Sequence, residues 1–438
     1  MATPINADRS VRIPTAGEVF PDGIGIELLR NPASPGNLLL AKCRNGVVEI
    51  APEVLHENHI YFPISADPSI AHAVRFPTRV APPESTKKLF ADLYALLDRH
   101  LAQLDPCITA MVFSIFASWL SPVLPMAPIL SIFASAASPS SVALELFALL
   151  CRHPLCIAGA KRSDLLHFPV QLKSTLLLDN PNLNLEMRTV LQAGTHRDRY
   201  ASSSGGLHEL FGPKIICTPI PSPARALDAI GLEVALMPVS GQLPILDANS
   251  REAIAEEFQA RLVGYSLRNS ANVQTPDFDV SDLAQPVQAV ARSFGAAVVG
   301  DNELQVKILP LFRMQDEDIR ADRASSLEAV VLETGLYFIH KGGARSVRSD
   351  DLAKKVCGIY TGRGSDRKVS PESVGRMIRR LGIPSGRISN AGNGIELTQP
   401  TCRLIHQLAE SYGVRAMEGS LRSDCRFCRE LEMMKSRT

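Results

Sequence analysis

A carboxylate and a Ser-rich loop are the residues whose types and positions best fit phosphate chemistry. Asp179 ends the apolar run of residues 175–178 and precedes Asn180, so the sequence predicts an acid at the end of a buried strand. An acid in that position can hold a magnesium ion. Residues 134–141 form a short Ala/Ser-rich segment between an apolar run and a predicted helix. The backbone N–H groups of such a turn, together with the helix N-terminus, can bind phosphate groups.

The loop departs from the phosphate-loop pattern of P-loop NTPases. That pattern is glycine, four residues, glycine, lysine, and serine or threonine. Ala134 and Pro139 replace the glycines, Ser140 replaces the lysine, and Ser141 alone fits. Proline has no N–H to offer, and without the lysine the phosphates lose a positive charge. Asn180 stands where many ATPases carry a water-polarising glutamate, and an amide cannot act as a base. The sequence therefore predicts a loop that has lost catalysis.

Strands that alternate with helices must position these residues, and the middle of the chain has this pattern. Four short apolar runs predict buried parallel strands, at residues 128–133, 175–178, 214–217 and 232–236. Helices are predicted at residues 86–100, 108–120, 142–151 and 185–193. The predicted fold class is therefore α/β, with a parallel sheet.

The 438 residues are enough for several domains. Asn45-Gly46 lies between two apolar runs and predicts a β-hairpin in the first of them. The predicted organisation is a β-rich N-terminal region (1–84), the ATPase-like core (85–243), a helical lid (244–325), a C-terminal basic domain (326–415) and a charged tail with a C-x-x-C pair (416–438).

Composition and charge exclude several classes of protein. Apolar residues make up 45% and charged residues 21%, as in folded globular domains. The net charge is only +1, so no global field draws the chain to nucleic acid or to a membrane. Nine scattered cysteines and the lack of an apolar N-terminal signal favour the cytoplasm. Residues 106–144 carry no charge, but Pro122, Pro125 and Pro128 interrupt the middle of the stretch, which favours two buried elements over a membrane span.

The order of elements resembles AAA+-type ATPases of the helicase and primase-helper kind, which phages, plasmids and other mobile elements often encode. The resemblance is carried by residues 89–133, the run TLLLDN, and residues 190–194 and 211–218. It implies a P-loop NTPase-like core with a helical lid, in which Thr218 would sense the γ-phosphate. It also implies a basic residue that reaches a neighbouring subunit's nucleotide. Residues 227–231, where that residue is expected, hold no arginine, and Arg225 lies nearby but not at the expected position.

Two functions follow from this resemblance and its departures. The first is a DNA-associated accessory or regulatory protein that does not hydrolyse ATP and needs no cofactor. It would form a homo-oligomer or work beside an active ATPase. The second is an active ATP-dependent helicase or primase helper, with ATP and magnesium in an atypical loop. In that case a basic residue from elsewhere supplies the missing charge, namely Lys161, Arg162 or Lys173.

The C-terminal domain is strongly basic. Between Lys341 and Arg387 twelve Lys and Arg stand against four acids, a local charge of +8, which is the footprint of phosphate-backbone binding. Its predicted helices, with caps at Ser349 and Ser370, and a Gly/Asn-tipped hairpin resemble a winged helix-turn-helix. The residues predicted to contact DNA or RNA are Lys354, Lys355, Arg363, Lys368, Arg376, Arg379, Arg380 and Arg387. The alternative is a protein-contact module whose arginines are solvated or paired with acids at residues 316–318.

Two further groups of residues suit binding. Cys425 and Cys428 form a C-x-x-C pair, and zinc usually takes four ligands. No second pair exists, but Cys402 and His406 lie four residues apart on a predicted helix and could complete a site. Residues 202–206 read as a Ser/Gly-rich loop. The residues before this loop suit base stacking and phosphate contact in a ring's channel, namely His196, Arg197, Arg199 and Tyr200.

Overall fold

The computed structural model describes residues 11–34, 36–65, 68–167, 172–203, 205–219, 230–342, 344–389, 392–414 and 425–435. The chain divides into two compact units, Met1–Asp316 and Glu317–Thr438. Within the described residues, no helix combines the length and the hydrophobicity needed to cross a membrane. Arg225, Asn390 and Ala391 lie outside the described residues.

Two small sheets form the N-terminal part of the first unit. The strands are β1 (Val11–Thr15), β2 (Glu18–Val19), β3 (Gly25–Arg30), β4 (Leu38–Arg44), β5 (Val47–Ala51), β6 (Val54–His56) and β7 (His59–Pro63). One sheet has the order β2-β3-β4-β5 and the other β1-β7-β6. Asn45 and Gly46 join β4 to β5 with φ angles of 51° and 80°. Two positive φ angles fit a type I′ turn, so the predicted hairpin is confirmed.

Helices α1 (Pro68–Ala73), α2 (Thr86–Leu101) and α3 (Asp105–Leu120) follow. Ser85 caps α2 by accepting a hydrogen bond from the Lys88 N–H. Helix α3 is buried from Cys107 to Leu120, and the Trp119 indole N–H donates to the Leu150 carbonyl at 2.8 Å. The charge-free stretch is therefore a core helix followed by a core strand, as its prolines indicate.

The core of the first unit is a five-stranded parallel sheet with helices between its strands. Its elements are β8 (Ile129–Ala134), α4 (Ser140–Leu150), β9 (Pro154–Ala158), α5 (Arg162–His167), β10 (Thr175–Asp179), α6 (Leu185–Ala193), β13 (Lys214–Thr218) and β14 (Gly231–Leu236). The strand order is β14-β8-β13-β10-β9. All four predicted strands are present. The predicted α/β class with a parallel sheet is confirmed.

A buried ion pair joins the N-terminal sheets to this core. Arg152, just before β9, is fully buried and donates from Nε and Nη2 to Glu27 Oε1 at 2.8 and 2.6 Å. Its Nη2 also donates to the Ala16 carbonyl at 2.9 Å. Gly17 lies against the pair with φ of +116°, and an added Cβ would come within 2.6 Å of both side chains. Burial raises the pKa of the Glu27 carboxyl, whereas the Arg152 charge opposes that rise.

A hairpin and a helical region complete the first unit. Strands β11 (Tyr200–Ser203) and β12 (Gly206–Glu209) pair antiparallel where the sequence suggested only a loop. Helices α7 (Ala248–Asn269), α8 (Gln285–Ala296), α9 (Asn302–Gln305) and α10 (Leu309–Ser325) follow β14, and α10 runs into the second unit. Asp247 caps α7 by accepting a hydrogen bond from the Ser250 N–H at 2.8 Å.

The second unit has a small helical core and a three-stranded sheet of order β15-β17-β16. Its elements are α11 (Leu327–Lys341), β15 (Ser346–Arg348), α12 (Ser349–Gly362), α13 (Pro371–Arg380), β16 (Gly386–Ser389), β17 (Gly392–Glu396), α14 (Gln399–Ser411) and α15 (Arg426–Lys435). Ser370 caps α13 as predicted. The predicted Ser349 cap is wrong by one residue, because Arg348 is the N-cap of α12 and makes no side-chain cap bond.

Candidate functional site

The carboxyl edge of the parallel sheet collects the residues predicted to bind nucleotide. Asp179 ends β10 and pairs in register with Cys217 of β13, and Thr218 pairs with Phe133 of β8. Ala134 ends β8, so the loop to α4 starts at the same edge. Strand β13 lies between β8 and β10, and therefore Thr218 stands between the loop and the acid. The predicted strand–loop–helix layout is present.

Hydrogen bonds within the loop occupy groups that a phosphate would need. Ser140 donates its N–H to the Ser138 carbonyl at 2.8 Å, and Pro139 has no N–H. The Ser138 hydroxyl donates to the Leu236 carbonyl at 2.7 Å, which ties the loop to the end of β14. The Ser135 and Ser138 hydroxyls lie 2.9 Å apart in a further bond. Two of the N–H groups that would cradle a phosphate are thus absent or engaged.

The cations suggested as substitutes for the lysine are badly placed. Lys173 lies at the amino end of β10 and contacts Glu18 at 3.0 Å, while the loop is at the other end, about 13 Å along the strand. Arg162 donates to the Ser202 carbonyl at 2.9 Å. Lys161 follows β9, which is three strands from β8, or about 14 Å. These positions do not bring a charge to Ser140.

Asp179 influences the thiols of the two neighbouring strands at this edge of the sheet. In the described chain, no hydrogen bond or ion pair engages the Asp179 carboxylate. Burial raises the pKa of the neighbouring Cys217 thiol to about 11, and the Asp179 charge adds to that rise. The same two causes raise the pKa of Cys156. Both thiols therefore stay protonated at neutral pH and are poor nucleophiles.

Helix α13 carries the best exposed cations of the second unit. Val374 and Ile378 bury one side of the helix, whereas Arg376, Arg379 and Arg380 are exposed. A spacing of three and four residues places these arginines on neighbouring positions of one face. Within the described second unit, no carboxylate lies within ion-pair distance of Arg376 or Arg379. The Arg376 guanidinium does donate to the Ser373 hydroxyl at 3.2 Å.

A groove of about 450 Å³ runs beside these two arginines, between the first turn of α12, helix α13 and the β16–β17 hairpin. Three arginines line it, Arg348, Arg376 and Arg379, together with two acids, Asp350 and Glu372. Arg348 pairs with Asp351 at 3.3 Å, whereas the other two arginines have no such partner among the described residues. We call it the basic groove. A hydrogen bond from Ser370 lowers the pKa of Glu372, so this acid is charged at neutral pH. The basic groove therefore offers two guanidinium groups within a mixed-charge frame.

Other residues predicted to bind nucleic acid have partners inside the unit. Arg363 pairs with Glu333 at 2.6 Å, and Arg380 pairs with Glu328 at 3.5 Å. The Lys355 ammonium lies 3.8 Å from the centre of the Tyr337 ring, a cation–π contact. The three remaining predicted residues are exposed, namely Lys354, Lys368 and Arg387. The structure therefore divides the predicted set into engaged and available cations.

The cysteine pair near the C-terminus does not stand alone. The Cys425 Sγ lies 3.4 Å from His406 Nε2, and the Cys428 Sγ lies 3.4 Å from His340 Nε2. The two Nε2 atoms are 3.1 Å apart. Of the two completing residues that the sequence suggested, His406 joins the cluster and Cys402 does not. Only the Cys402 carbonyl takes part, because it accepts from His406 Nδ1 at 2.7 Å.

The residues before the β11–β12 hairpin are partly structural. The Arg197 guanidinium donates to the carbonyls of Ser121, Pro122 and Leu124 and stacks 4.1 Å from the Phe211 ring centre. It is therefore not available for the phosphate contact that the sequence suggested. Tyr200 remains more than half exposed on β11.

Sequence reasoning missed the partners that long-range packing supplies. His340 lies 66 positions before His406 on another helix, and no local spacing signals that they meet. Glu328 and Glu333 precede the basic stretch, so a charge count that starts at Lys341 leaves them out. A count over all of α11 would have found both acids.

Comparisons with known proteins give no family. No family model and no curated protein matches the chain. Similar solved structures include the apo C-terminal region of NrS-1, at TM-score 0.34 and 13% identity, covering 85% of this chain and 97% of that one. A full-length MCM homologue from Methanopyrus kandleri has TM-score 0.34 and 13% identity over 65% and 70% of the two chains. Drosophila ORC bound to DNA has TM-score 0.19 and 12% identity, covering 76% of this chain and 95% of that one. These TM-scores are low, so the assignments that follow depend on this chain's own geometry.

Proposed function

We propose that the chain is a DNA-associated accessory or regulatory protein whose AAA+-like core does not hydrolyse ATP. The observation that carries the proposal is the pair Arg376 and Arg379, exposed on one face of α13 beside the basic groove. Guanidinium groups on such a helix suit contact with phosphates or with guanine edges in the major groove. The local charge of +8 between Lys341 and Arg387 draws the same surface to nucleic acid.

The order of elements supports a winged helix-turn-helix as the binding module. Helix α11, strand β15, helices α12 and α13, and the β16–β17 hairpin follow one another along the chain. In that arrangement α13 would enter the major groove, and the hairpin that begins near Arg387 would contact the adjacent backbone. RNA is the less favoured ligand, because the deep, narrow major groove of A-form RNA does not admit a helix.

The parallel sheet supports the proposal that the core descends from a P-loop NTPase. The resemblance to mobile-element ATPases supports the proposal that this ancestor came from a mobile element. Pro139 and the engaged Ser140 N–H leave the loop with a poor phosphate cradle. No lysine compensates, since Ser140 stands in its place. We infer that the core now serves assembly, either in a homo-oligomer or beside an active ATPase, rather than catalysis.

One observation favours the alternative of an active ATP-dependent helicase or primase helper. The Asp179 carboxylate has no hydrogen-bond or ion-pair partner among the described residues, so it is free to hold magnesium. The test is ATP hydrolysis by the full chain with magnesium and DNA, compared with Asp179→Ala. We expect no hydrolysis above background from either protein. Turnover that Asp179→Ala abolishes would establish the alternative.

The binding module is tested by the double variant Arg376→Gln/Arg379→Gln. We expect its affinity for duplex DNA to fall about tenfold to a hundredfold, because each lost phosphate or base contact costs about 1 kcal/mol or more. The slope of log K against log salt should fall by about two, since each phosphate contact contributes about 0.9. Fluorescence anisotropy over a salt series measures both quantities.

Arg363→Gln is the matched control, because this exposed arginine already pairs with Glu333. We expect this variant to weaken DNA binding by no more than about threefold. Unchanged affinity and salt slope in the double variant would contradict binding through the basic groove.

A further inference from the structure

We propose that His340, His406, Cys425 and Cys428 form a structural zinc site that fixes helix α15 to the second unit. One ligand atom from each residue lies within 4.8 Å of the other three. Three of the residues lie on helices α11, α14 and α15, and Cys425 immediately precedes α15, so their convergence is a product of tertiary packing. The site is independent of nucleotide and DNA binding and goes beyond the proposed function.

The distances fit one tetrahedral zinc ion. Zinc binds imidazole nitrogen at about 2.0–2.1 Å and thiolate sulfur at about 2.3 Å, so tetrahedral ligands lie about 3.3–3.8 Å apart. The two Nε2 atoms are 3.1 Å apart, and each nearest sulfur–nitrogen pair is 3.4 Å apart. The remaining pairs lie within 4.8 Å, so a single ion in the centre would draw them together by about 1 Å at most. Two imidazoles and two thiolates are also the donor set that selects zinc over magnesium or calcium.

The hydrogen bond of His406 aims its ring at this centre. His406 Nδ1 lies 2.7 Å from the Cys402 carbonyl. A carbonyl oxygen only accepts, so Nδ1 carries the proton and the neutral ring has its lone pair on Nε2. Nε2 faces the cluster, and a carbonyl partner on the other nitrogen is the usual outer contact of a metal-bound histidine. His406 is 3% exposed, so this orientation is held by the packing around it.

Contacts around the cluster give the zinc a structural role. The Phe427 ring lies 5.4 Å from the His406 ring, and Arg403 of α14 pairs with Glu430 of α15 at 3.1 Å. Four protein ligands leave no open position for water or substrate, which is the arrangement of structural rather than catalytic zinc. Two thiolates balance the charge of the ion, so the partly buried site is neutral. The zinc would hold the ten residues of α15 against α14 and the end of α11.

The experiment measures zinc in the full chain. The protein is reduced, stripped with a chelator, and titrated with zinc, and the bound metal is then counted by mass spectrometry. Cobalt replaces zinc in a parallel titration, because tetrahedral cobalt with thiolate ligands has a visible absorption. We expect about one zinc per chain and the tetrahedral, thiolate-bound cobalt spectrum. Less than about one-tenth of a zinc per reduced chain, or a cobalt spectrum without thiolate bands, would overturn the proposal.

Variants identify the ligands. We expect Cys428→Ser and His340→Ala to lose at least nine-tenths of the zinc. The matched control is Cys402→Ser, which removes a buried thiol from the same helix as His406 and should keep its zinc. His340→Cys should also keep it, because a thiolate can replace the imidazole, so the result does not depend on whether His340→Ala folds. Loss of zinc in Cys402→Ser, or its retention in Cys428→Ser, would contradict this ligand set.

Discussion

The carboxyl edge of the parallel sheet and the basic groove of the second unit both have residues suited to phosphate, but they use them differently. At the sheet edge the loop donors are consumed internally, since Ser140 and Ser138 bond to carbonyls of the chain itself. In the basic groove Arg376 and Arg379 reach solvent without a carboxylate partner among the described residues. The partners of a polar group, rather than its type, therefore decide whether it can bind a ligand.

The same lesson applies within the second unit. Arg363 and Arg380 belong to the same basic stretch as Arg376, but acids of α11 neutralise them. Exposed pairs of this kind contribute little to stability, about 1 kcal/mol or less. Their main consequence is to remove two cations from the surface offered to DNA.

The largest expected effect is a loss of stability in the first unit that leaves DNA binding by the basic groove unchanged. Replacing Arg152 with Met leaves the buried Glu27 carboxyl without its guanidinium partner, so we expect the first unit to lose about 3–5 kcal/mol of unfolding free energy. DNA affinity of the folded protein should stay within twofold, because the cations of the basic groove belong to the second unit. Urea unfolding measures the first quantity, and anisotropy on duplex DNA measures the second.

Arg251→Met is the control, because Arg251 pairs with Glu145 at the surface and its loss should cost less than about 1 kcal/mol. Equal destabilisation by the two variants would show that the buried pair is not the joint between the N-terminal sheets and the core.

The next largest effect is a gain of ATP binding when the phosphate-loop pattern is restored. The double variant Pro139→Gly/Ser140→Lys returns one N–H and the phosphate-binding charge at the place where the pattern requires them. We expect the wild type to show no ATP binding at millimolar nucleotide and the variant to bind at least tenfold more tightly. A fluorescent ATP analogue with magnesium provides the readout. Tight binding by the wild type would contradict the difference drawn between the two regions.

The smallest effect concerns an engaged arginine. Replacing Glu333 with Gln frees Arg363 and removes one negative charge near the basic stretch, so we expect DNA affinity to rise about twofold to fivefold at low salt. The gain should shrink as salt is raised. Glu303→Gln, which changes an exposed acid in the first unit, is the control, and an equal gain there would indicate a general charge effect.

The sequence predicts the elements whose signals are local. Apolar runs locate β8, β10, β13 and β14, and the Asn45-Gly46 pair locates a hairpin. The sequence does not predict strand β9, because it begins with a proline, lies at the sheet edge and exposes Cys156. An edge strand lacks the continuous apolar run of a strand buried on both faces.

Side-chain partners were harder to predict than elements. The spacing of Cys425 and Cys428 predicts a metal-binding pair, but no spacing predicts His340, because it reaches the cluster only through the packing of α11 against α14. In the same way, the loop sequence predicts missing donors at Pro139 and Ser140, while the bond from Ser138 to Leu236 depends on the neighbouring strand. Contacts between distant segments leave no periodic trace in the sequence.

The most direct test of the central claim is the affinity of the full chain for duplex DNA over a salt series, with and without ATP and magnesium. If the basic groove binds DNA and the sheet edge is inert, log K should fall linearly with log salt, with a slope of at least about two in magnitude. The two series should coincide. Absent or salt-independent binding would contradict DNA binding by the basic groove. An affinity that changes with ATP would contradict an inert sheet edge.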